Sequence, residues 1–574
     1  MSRFFNSVGL VMLNLTIAAC GASQEGAPAP VQSAVTRAAA SHEQLARLFD
    51  RYWDERIAYE EAVSPQVLAD ALEVEKRFLA ALGSIPRDAL SADESLSYDI
   101  FKQQREMAIE GFTYPGELMP INPFGGMPLK FAVTAAQSAA VSLSVAQYDR
   151  WLRAADDYVA WTRQAIANMR DGALRGYTSP RSLVERMLPI LESMGADTAS
   201  NVFYTPLSSM SENMSAADRA RLTAGVREVV SRKVLPATRA LYDYLKHDYL
   251  PKARAALALS ELPLGSQWYQ YRVRRAVGPG AAPADIHRLG LSEVERLKPQ
   301  LQALASLMAV INPAIVPGQS PAVGDALAAY EELGKQVAEK LPLLFGEGQA
   351  QPTPYEIRAT DFVPMPATPL YYLAAAPGSN QPAVIFVNTL ELQPKPDIAV
   401  FLQQAVPGRH LQSAIQRARD DLPRFRRFGA DPAFVAGWGM YAVTLGEELG
   451  MYSSDADKYW SLKLQMRCAA ALVVDTGLHS QGWTRAKALE YLRTQASVED
   501  REASALIDEY AAMPGDALSC AMGAMKIRGL RTKMQESLGA RFDLREFHAE
   551  LLKDGAMPLN LLEGKVNSWI EGMQ

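Results

Sequence analysis

Histidine and cysteine are scarce in this chain, and its positive charge is not gathered in any one stretch. Of the 574 residues, six are histidine and three are cysteine, while 58 basic residues stand against 64 acidic ones. A nucleic-acid-binding protein normally carries a basic patch or stripe. The sequence therefore shows no electrostatic footprint for nucleic acid. With 48% apolar residues, the chain is long enough to bury a large core without disulfide staples.

The N-terminus also lacks an apolar run long enough to cross a membrane. Val8 to Ala19 is largely apolar, but a helix needs about 20 apolar residues to span a bilayer. A short apolar run behind a positive charge, here Arg3, is typical of a signal peptide. We therefore expect residues 1–19 to be a signal peptide that is removed from the mature protein.

The apolar run ends at Ile17-Ala-Ala-Cys20, which resembles a bacterial lipobox. In a lipobox the peptide is cut before the cysteine and the thiol carries lipid, so Cys20 would be the first mature residue. The alternative is an ordinary secretory signal with an incidental cysteine. Gly21, in place of aspartate, resembles the pattern sorted to the outer membrane. We therefore expect a cell-envelope lipoprotein that faces the periplasm and contacts the membrane only through its lipid.

The mature chain divides into a short tether and one large body. Residues 20–40 are mainly Ala, Pro, Gln, Ser and Gly, which offer little to pack, so we predict a flexible tether after the lipidated cysteine. No repeat or break in composition divides residues 41–574, which we treat as a single domain. Within it, Cys468 and Cys520 could pair in an oxidising periplasm, although sequence alone does not establish the Cα separation that a disulfide needs.

Apolar residues at three- and four-residue spacing predict that the body is all-α. One stripe runs from Leu45 to Ile57 and another from Tyr148 to Met169, and such spacing is typical of amphipathic helices that pack in a core. The second helix is predicted to start at Ser144, with Gln147 completing a capping box. Similar periodicity covers residues 215–249, 283–308, 324–344 and most of 432–570.

The clearest β signal is a single hairpin. The β-prone runs Pro369 to Ala375 and Ala383 to Val387 flank Pro377-Gly-Ser-Asn380, which supplies turn chemistry. The expected fold is therefore mainly helical with a small β element. Two helical lobes about a cleft would be one arrangement of the helices.

The stretch Phe401-Leu-Gln-Gln-Ala-Val-Pro-Gly-Arg-His-Leu-Gln412 resembles the signature H-E-A-x-P-G-H-H-L-Q of the bacterial "domain of unknown function 885" family. The likeness covers almost the whole mature chain. Further matching motifs are Tyr249-Leu-Pro-Lys-Ala-Arg254, Ile286-His-Arg-Leu-Gly290, Phe386-Val-Asn388, Gly437-Trp438 with Tyr441-Ala442, Val474-Asp-Thr-Gly-Leu-His479, Pro514-Gly515 and Phe542-Asp-Leu-Arg-Glu-Phe-His548. The resemblance implies a zincin-like metallopeptidase scaffold with a central cleft.

The residues that would hold and use a zinc ion in this family are replaced here. Gln403 and Gln404 stand where the family has His-Glu, Arg409 stands for the first of its paired histidines, and Ala436 stands where we expect its distal glutamate ligand. A zinc hydrolase needs His or carboxylate ligands and a general base. An amide is a poor ligand, and a guanidinium adds fixed positive charge. We therefore expect no zinc, no other cofactor and no catalytic residue of the family's kind.

Five residues are candidates for contact with a ligand in the cleft. Arg409 would hold a carboxylate with its fork of donors, or else be a surface arginine beside the cleft. His410 is expected to pair with a carboxylate rather than contact a ligand, and His479 is either a cleft residue or a hydrogen-bonded core histidine. Tyr371 and Asn388 lie on or beside the predicted hairpin, whose edge could receive a peptide, although packing is the alternative role for both.

Three functions remain open at this point. The first is a pseudopeptidase that binds a peptide or protein partner in the cleft without cutting it. The second is an active hydrolase with an unusual metal site or a metal-independent mechanism, for example one that uses Cys520, at the place of a family tyrosine, with a histidine. The third is a structural or assembly lipoprotein whose outer surface matters. The combined loss of the family's ligands and base favours the first.

Lipidation gives the first testable prediction. Cys20→Ala removes the only acceptor that the lipobox offers, so the variant should leave the membrane fraction and appear in the soluble fraction. Immunoblotting of membranes after a high-salt wash measures this, with wild-type protein as the reference. A variant that still pellets with washed membranes would contradict the lipid anchor.

Overall fold

The computed structural model describes residues 29–138, 143–211, 213–311, 321–346, 348–349, 353–361, 368–378, 381–393 and 395–573. Cys20 and the predicted signal peptide lie outside these residues. Within the described ranges, no helix is both long and apolar enough to cross a lipid bilayer.

The fold is mainly helical, as predicted. The helices are α1 (Ala29–Glu55), α2 (Pro65–Gly83), α3 (Ala92–Gly111), α4 (Met127–Gln137), α5 (Val145–Leu174), α6 (Arg181–Gly195), α7 (Ala216–Val229), α8 (Leu235–Asp243), α9 (Gly265–Val277), α10 (Pro283–Ile311), α11 (Val323–Lys340), α12 (Ile398–Gln404), α13 (Arg409–Ala418), α14 (Arg424–Arg427), α15 (Pro432–Thr444), α16 (Asp455–Ser480), α17 (Arg485–Gln495), α18 (Asp500–Ala512), α19 (Leu518–Leu538), α20 (Leu544–Lys553) and α21 (Leu559–Met573).

The start of α5 shows how local sequence sets a helix. The Ser144 hydroxyl accepts the Gln147 N–H at 3.3 Å, and the Gln147 side chain accepts the Ser144 N–H at 2.7 Å. This is the predicted capping box, in which two otherwise unpaired N–H groups are satisfied reciprocally. Downstream, Tyr148, Trp151 and Tyr158 are buried, so the aromatic stripe of α5 packs in the core as its spacing predicts.

The first helix begins earlier than the predicted boundary of the folded body. α1 starts at Ala29, inside the segment for which the composition predicted a tether up to residue 40. Alanine has the highest helix propensity of the residues, and this stretch is rich in alanine. Poor packing chemistry therefore does not prevent helix formation here.

The small β element is a three-stranded sheet in the order β1-β3-β2, with β1 at Tyr355–Thr360, β2 at Leu370–Leu373 and β3 at Ala383–Asn388. The antiparallel pair β2–β3 is the predicted hairpin, with Leu370 opposite Val387. β1 pairs with β3 in parallel and was not predicted. All six residues of β3 are buried, so β3 is central, and β2 lies at an edge of the sheet.

Two glycines allow α15 and α19 to pack in direct backbone contact. A Cβ on Gly437 would lie 2.8 Å from the Ala524 nitrogen, and one on Gly523 would lie 2.7 Å from the Gly437 Cα. Real Cβ atoms do not approach other atoms so closely, so both positions require glycine. The adjacent Trp438 is fully buried and fills the space beside this contact. The family motif Gly437-Trp438 is therefore explained by packing.

Cys468 of α16 and Cys520 of α19 form a disulfide, with their Cα atoms 6.0 Å apart. This settles the pairing that the sequence left open. A cysteine in a disulfide has no thiolate to attack a substrate. The hypothesis of a hydrolase that uses Cys520 as its nucleophile is therefore wrong for the folded, oxidised protein.

The glycine contact can be tested with a matched pair of substitutions in thermal unfolding. Gly437→Ala should lower the free energy of unfolding by about 1–3 kcal/mol, because the added methyl group must push α15 away from α19. Gly529→Ala, at an α19 position where a Cβ meets no atom within 4 Å, should instead raise it by roughly 0.5–1 kcal/mol through helix propensity. Equal effects of the two substitutions would contradict the packing explanation.

Candidate functional site

The segment that carries the family signature is two helices rather than one. α12 ends at Gln404 and α13 begins at Arg409, so a loop separates Gln403 from His410. Pro407 has no N–H to continue the helix. A Cβ on Gly408 would collide with the carbonyl oxygens of Leu402 and Gln403, so glycine allows the chain to fold back at this point.

The loop between α12 and α13 is held by α15. The indole N–H of the buried Trp438 donates to the Pro407 carbonyl at 2.8 Å. One residue further along, a Cβ on Gly439 would lie 3.3 Å from Cγ of Gln403 and 3.4 Å from Cγ of Arg409. The Gln403 and Arg409 side chains therefore both lie against the bare backbone of Gly439. Sequence reasoning missed Gly439, although its small size on a motif helix was a visible signal.

Three of the four replaced family positions line a common surface. Gln403, Arg409 and Ala436 are half-buried, whereas Gly439 and most of their sequence neighbours are buried. Ala436 lies three residues before Gly439 and therefore shares its face of α15. Gln404, the fourth position, is only 8% exposed, and its amide nitrogen lies 3.3 Å from the Gln403 amide oxygen. We call the half-buried surface of these three residues, where α12, α13 and α15 meet, the cleft; the buried Gln404 lies beside it.

Arg409 is the most unusual charge in this cleft. Among the described residues it has no ion-pair partner, and its Nε atom is buried without a hydrogen-bond acceptor. Burial lowers the pKa of the guanidinium, while the nearby Tyr371 phenol opposes that shift. Arg409 therefore keeps a guanidinium that no carboxylate of the described residues neutralises.

His410 does not face this cleft. It is 2% exposed, and its Nε2–H donates to the Thr353 carbonyl at 2.7 Å. The expected carboxylate partner is therefore wrong, since the partner is a backbone carbonyl. The ring packs edge-on against Tyr355 and Tyr372, with centroids 4.7 and 5.7 Å away. Burial lowers the pKa of His410, so the neutral form is favoured and contact with a ligand is not supported.

His479 is a fully buried core residue. Its Nδ1 accepts the Leu259 N–H at 2.9 Å, and its Nε2–H donates to the Tyr510 carbonyl at 3.0 Å. These two contacts define one neutral tautomer, and burial lowers the pKa of His479 to about 3. Of the two roles considered, the structure supports the core histidine, because neither ring nitrogen is free for a ligand.

The preceding aspartate of the same motif is also structural. Asp475 accepts the Tyr269 hydroxyl at 2.6 Å and the Gly515 N–H at 3.0 and 3.1 Å. It thereby ties α16 to α9 and to the loop that precedes α19. Burial raises the pKa of Asp475 to about 7, although the two hydrogen bonds oppose that shift. The family motifs around Asp475 and Gly515 therefore converge on one buried contact.

The two hairpin candidates have different roles. Asn388 is 1% exposed; its side chain accepts the Leu390 N–H at 3.0 Å and donates to the Thr368 carbonyl at 3.2 Å. It is a turn residue, so the ligand role suggested for it is not supported. Tyr371 is half-buried on β2, which contacts α12, and it lies near Arg409. Tyr371 therefore belongs to the cleft.

The residues of the cleft do not fit a zinc ion. An amide, a guanidinium and a methyl group occupy the positions that the resemblance assigns to metal ligands, and the Arg409 stem lies against Gly439. In the part of the chain that the structure describes, no three His, Cys, Asp or Glu side chains come together as a ligand set. The absence of zinc from the purified protein stays a prediction.

Comparison with known proteins agrees with the resemblance seen in the sequence. The model of a bacterial protein family of unknown function, DUF885, matches residues 54–566. The chain belongs to this family. No curated protein matches the chain.

Two solved structures resemble this DUF885 protein over most of its length. One is a putative lipoprotein from Colwellia psychrerythraea, with 21% identity and a TM-score of 0.75, covering 93% of this chain and 100% of that one. The other is a putative lipoprotein of unknown function from Shewanella oneidensis, with 15% identity and a TM-score of 0.59, covering 92% and 99%. At these identities, the likeness establishes a shared fold.

The burial of His479 predicts a specific pH dependence of stability. Unfolded histidine binds a proton below about pH 6.5, whereas folded His479 has a pKa of about 3. Its contribution to stability is therefore present above the unfolded pKa and is lost as the pH falls toward the folded one. Between about pH 6.5 and 4.5, the wild type should lose roughly 2–3 kcal/mol more unfolding free energy than His479→Gln.

Urea unfolding of the two proteins at a series of pH values measures this difference. His42→Gln is the control for loss of an imidazole, since the His42 side chain is 70% exposed. At neutral pH the control should change the free energy of unfolding by no more than about 0.5 kcal/mol. Parallel pH profiles for wild type and His479→Gln would show that His479 is not held neutral.

Proposed function

We propose that this DUF885 protein binds a peptide or protein ligand through an anionic group at Arg409 and does not hydrolyse it. The observation that carries the proposal is the unpaired guanidinium beside Gln403, in a cleft bounded by β2, α12, α13 and α15. The protein is thus a pseudopeptidase on a zincin-like scaffold. The scaffold assignment rests on the sequence resemblance.

The charge of the site favours an anion. In a zinc peptidase, a dication stabilises a carbonyl oxygen or terminal carboxylate, and the protein supplies ligands of opposite charge. Here the ligands are neutral or absent, and Arg409 contributes one positive charge at the same place. An arginine can hold a carboxylate through two parallel hydrogen bonds. A desolvated guanidinium without a counter-ion among the described residues is therefore suited to receive one from a ligand.

The neighbouring sheet favours an extended ligand. β2 is an edge strand, so one side of it is not paired with another strand of the described sheet. An extended peptide can add to such an edge by main-chain hydrogen bonds. Tyr371 lies on this strand close to Arg409, so a peptide along β2 would bring an anionic group within reach of the guanidinium.

The location that we propose is the cell envelope, with the body facing the periplasm from the outer membrane. The lipobox-like Ile17 to Cys20 supports a lipid anchor, and the two similar structures carry the description of putative lipoproteins. The disulfide between Cys468 and Cys520 is also consistent with an oxidising compartment.

Replacement of Arg409 tests the proposal directly. Arg409→Ala should weaken binding of a fluorescein-labelled tripeptide with a free C-terminus about ten- to a hundredfold, because a charge-assisted hydrogen-bonded pair is worth ~1.5–3 kcal/mol. Arg409→Lys should rescue binding only in part, since it keeps the charge but loses the fork geometry. Fluorescence anisotropy measures the affinity.

Arg493→Ala is the control for loss of a positive charge, because Arg493 is exposed on α17; it should bind as the wild type does. Equal affinity of wild type and Arg409→Ala would overturn the proposal. Cleavage of the peptide, or one zinc ion per chain in a metal assay, would overturn its non-catalytic part.

A further inference from the structure

The face of α13 that carries Arg409 continues to a second arginine. Arg409, Ser413 and Arg417 follow one another at four-residue spacing, and residues four apart on a helix share a face. Each of the three is only half-buried. The two arginines are separated by about 12 Å along the axis of α13. This face therefore carries two positive charges at a fixed spacing.

Arg417 is bound to the chain that follows β2 rather than to a carboxylate. Its Nη1 donates to the Ala375 carbonyl, and its Nε donates to the Ser413 hydroxyl at 3.1 Å. Its guanidinium also lies 5.6 Å from the centroid of the Phe428 ring. Among the described residues Arg417 has no ion-pair partner, so its charge is not neutralised within this part of the chain.

Both arginines keep donors that no described residue uses. A guanidinium has five N–H groups, and the two hydrogen bonds of Arg417 do not involve Nη2. That atom is not fully buried, and neither are Nη1 and Nη2 of Arg409, although Nε of Arg409 is. Burial lowers the pKa of Arg417, and the nearby charge of Arg427 acts in the same direction. A bound anion would offset both effects.

The strand β2 leads from one arginine to the other. The Tyr371 phenol is close enough to Arg409 to interact with its charge. Tyr372 has the same relation to Arg417, which contacts Ala375 directly. The four residues from Tyr371 to Ala375 span about 13 Å in an extended chain. This length matches the spacing of the two arginines on α13.

A peptide added antiparallel to the free edge of β2 would run from Ala375 toward Tyr371. If its last residue lies beside Tyr371, the residue four positions earlier lies beside Ala375. Side chains at even spacing on an extended chain point to the same side, so the side chain of that earlier residue and a group at the C-terminus can both be directed toward α13.

We propose that the preferred ligand is an extended peptide whose free C-terminal carboxylate binds Arg409 and whose acidic side chain, four residues before the C-terminal residue, binds Arg417. The inference rests on the proposed function and specifies its ligand. Arg409 receives the terminal carboxylate because none of its donors is used by a described residue, so its two Nη atoms can hold both oxygens. Arg417 has already used two donors and offers Nη2.

The experiment measures affinity of the purified full-length protein for three N-acetylated pentapeptides with free C-termini, by isothermal titration calorimetry. They are Glu-Ala-Ala-Ala-Ala, Gln-Ala-Ala-Ala-Ala and Ala-Ala-Ala-Glu-Ala. The first should bind about fivefold more tightly than the second, since a partly exposed charge pair contributes on this scale. The third has the same net charge as the first, but its acid is misplaced, so it should bind within about twofold of the second.

Substitution of Arg417 assigns the preference to one residue. Arg417→Gln should reduce the preference for glutamate over glutamine in the first two peptides from about fivefold to about one. Arg417→Lys should keep part of it, because the charge remains and the fork of donors is lost. Arg419→Gln is the matched control, since the Arg419 charge is paired with Asp421 at 2.6 Å; it should leave the preference unchanged.

The outcomes separate this inference from the proposed function. Equal wild-type affinity for the first two peptides would overturn the role of Arg417 and leave that of Arg409 intact. Binding of the third peptide as tight as that of the first would overturn the spacing. A preference that persists in Arg417→Gln, with thermal unfolding like that of the wild type, would contradict the assignment to Arg417. No binding of any of the three peptides to the wild type would overturn the proposed function itself.

Discussion

The position of α15 depends on a contact between two backbones, and the cleft depends on α15. Gly437 and Gly523 allow α15 and α19 to approach without intervening side chains, and the backbone of a packed interior has little freedom to shift. With α15 fixed, Trp438 holds the loop at Pro407, and Gly439 leaves room for Gln403 and Arg409. Three consecutive residues thus serve the helix contact, the loop and the cleft.

Much of the fold was predictable from local sequence. The capping box at Ser144, the aromatic stripe of α5 and the β2–β3 hairpin each depend on residues close together in the chain, and each prediction is confirmed. β1 was missed because Glu356 and Arg358 break its apolar pattern and because its partner β3 is distant in sequence. The break between α12 and α13 is explained by Pro407 and Gly408, which are both visible in the sequence.

The roles of single polar residues were harder to predict. Asn388 and His479 are satisfied by backbone groups of Thr368 and Leu259, and sequence patterns carry no information about such long-range partners. The ligand-binding roles of Arg409 and Tyr371 stay predictions, although the two side chains are close enough to interact. Burial, which the sequence does not reveal, decides which histidines and amides remain available to a ligand.

The disulfide between α16 and α19 makes the stability of the fold depend on whether the chain has been oxidised. It closes a loop of 52 residues, and in the chain-entropy model such a closure removes about 4 kcal/mol of conformational freedom from the unfolded state. Before oxidation the unfolded chain keeps that freedom, so the folded state is less stable relative to the unfolded state. For a polypeptide with an export signal of the kind predicted here, the two cysteines leave the chain without a cross-link until it meets an oxidant and stabilise the folded form after that.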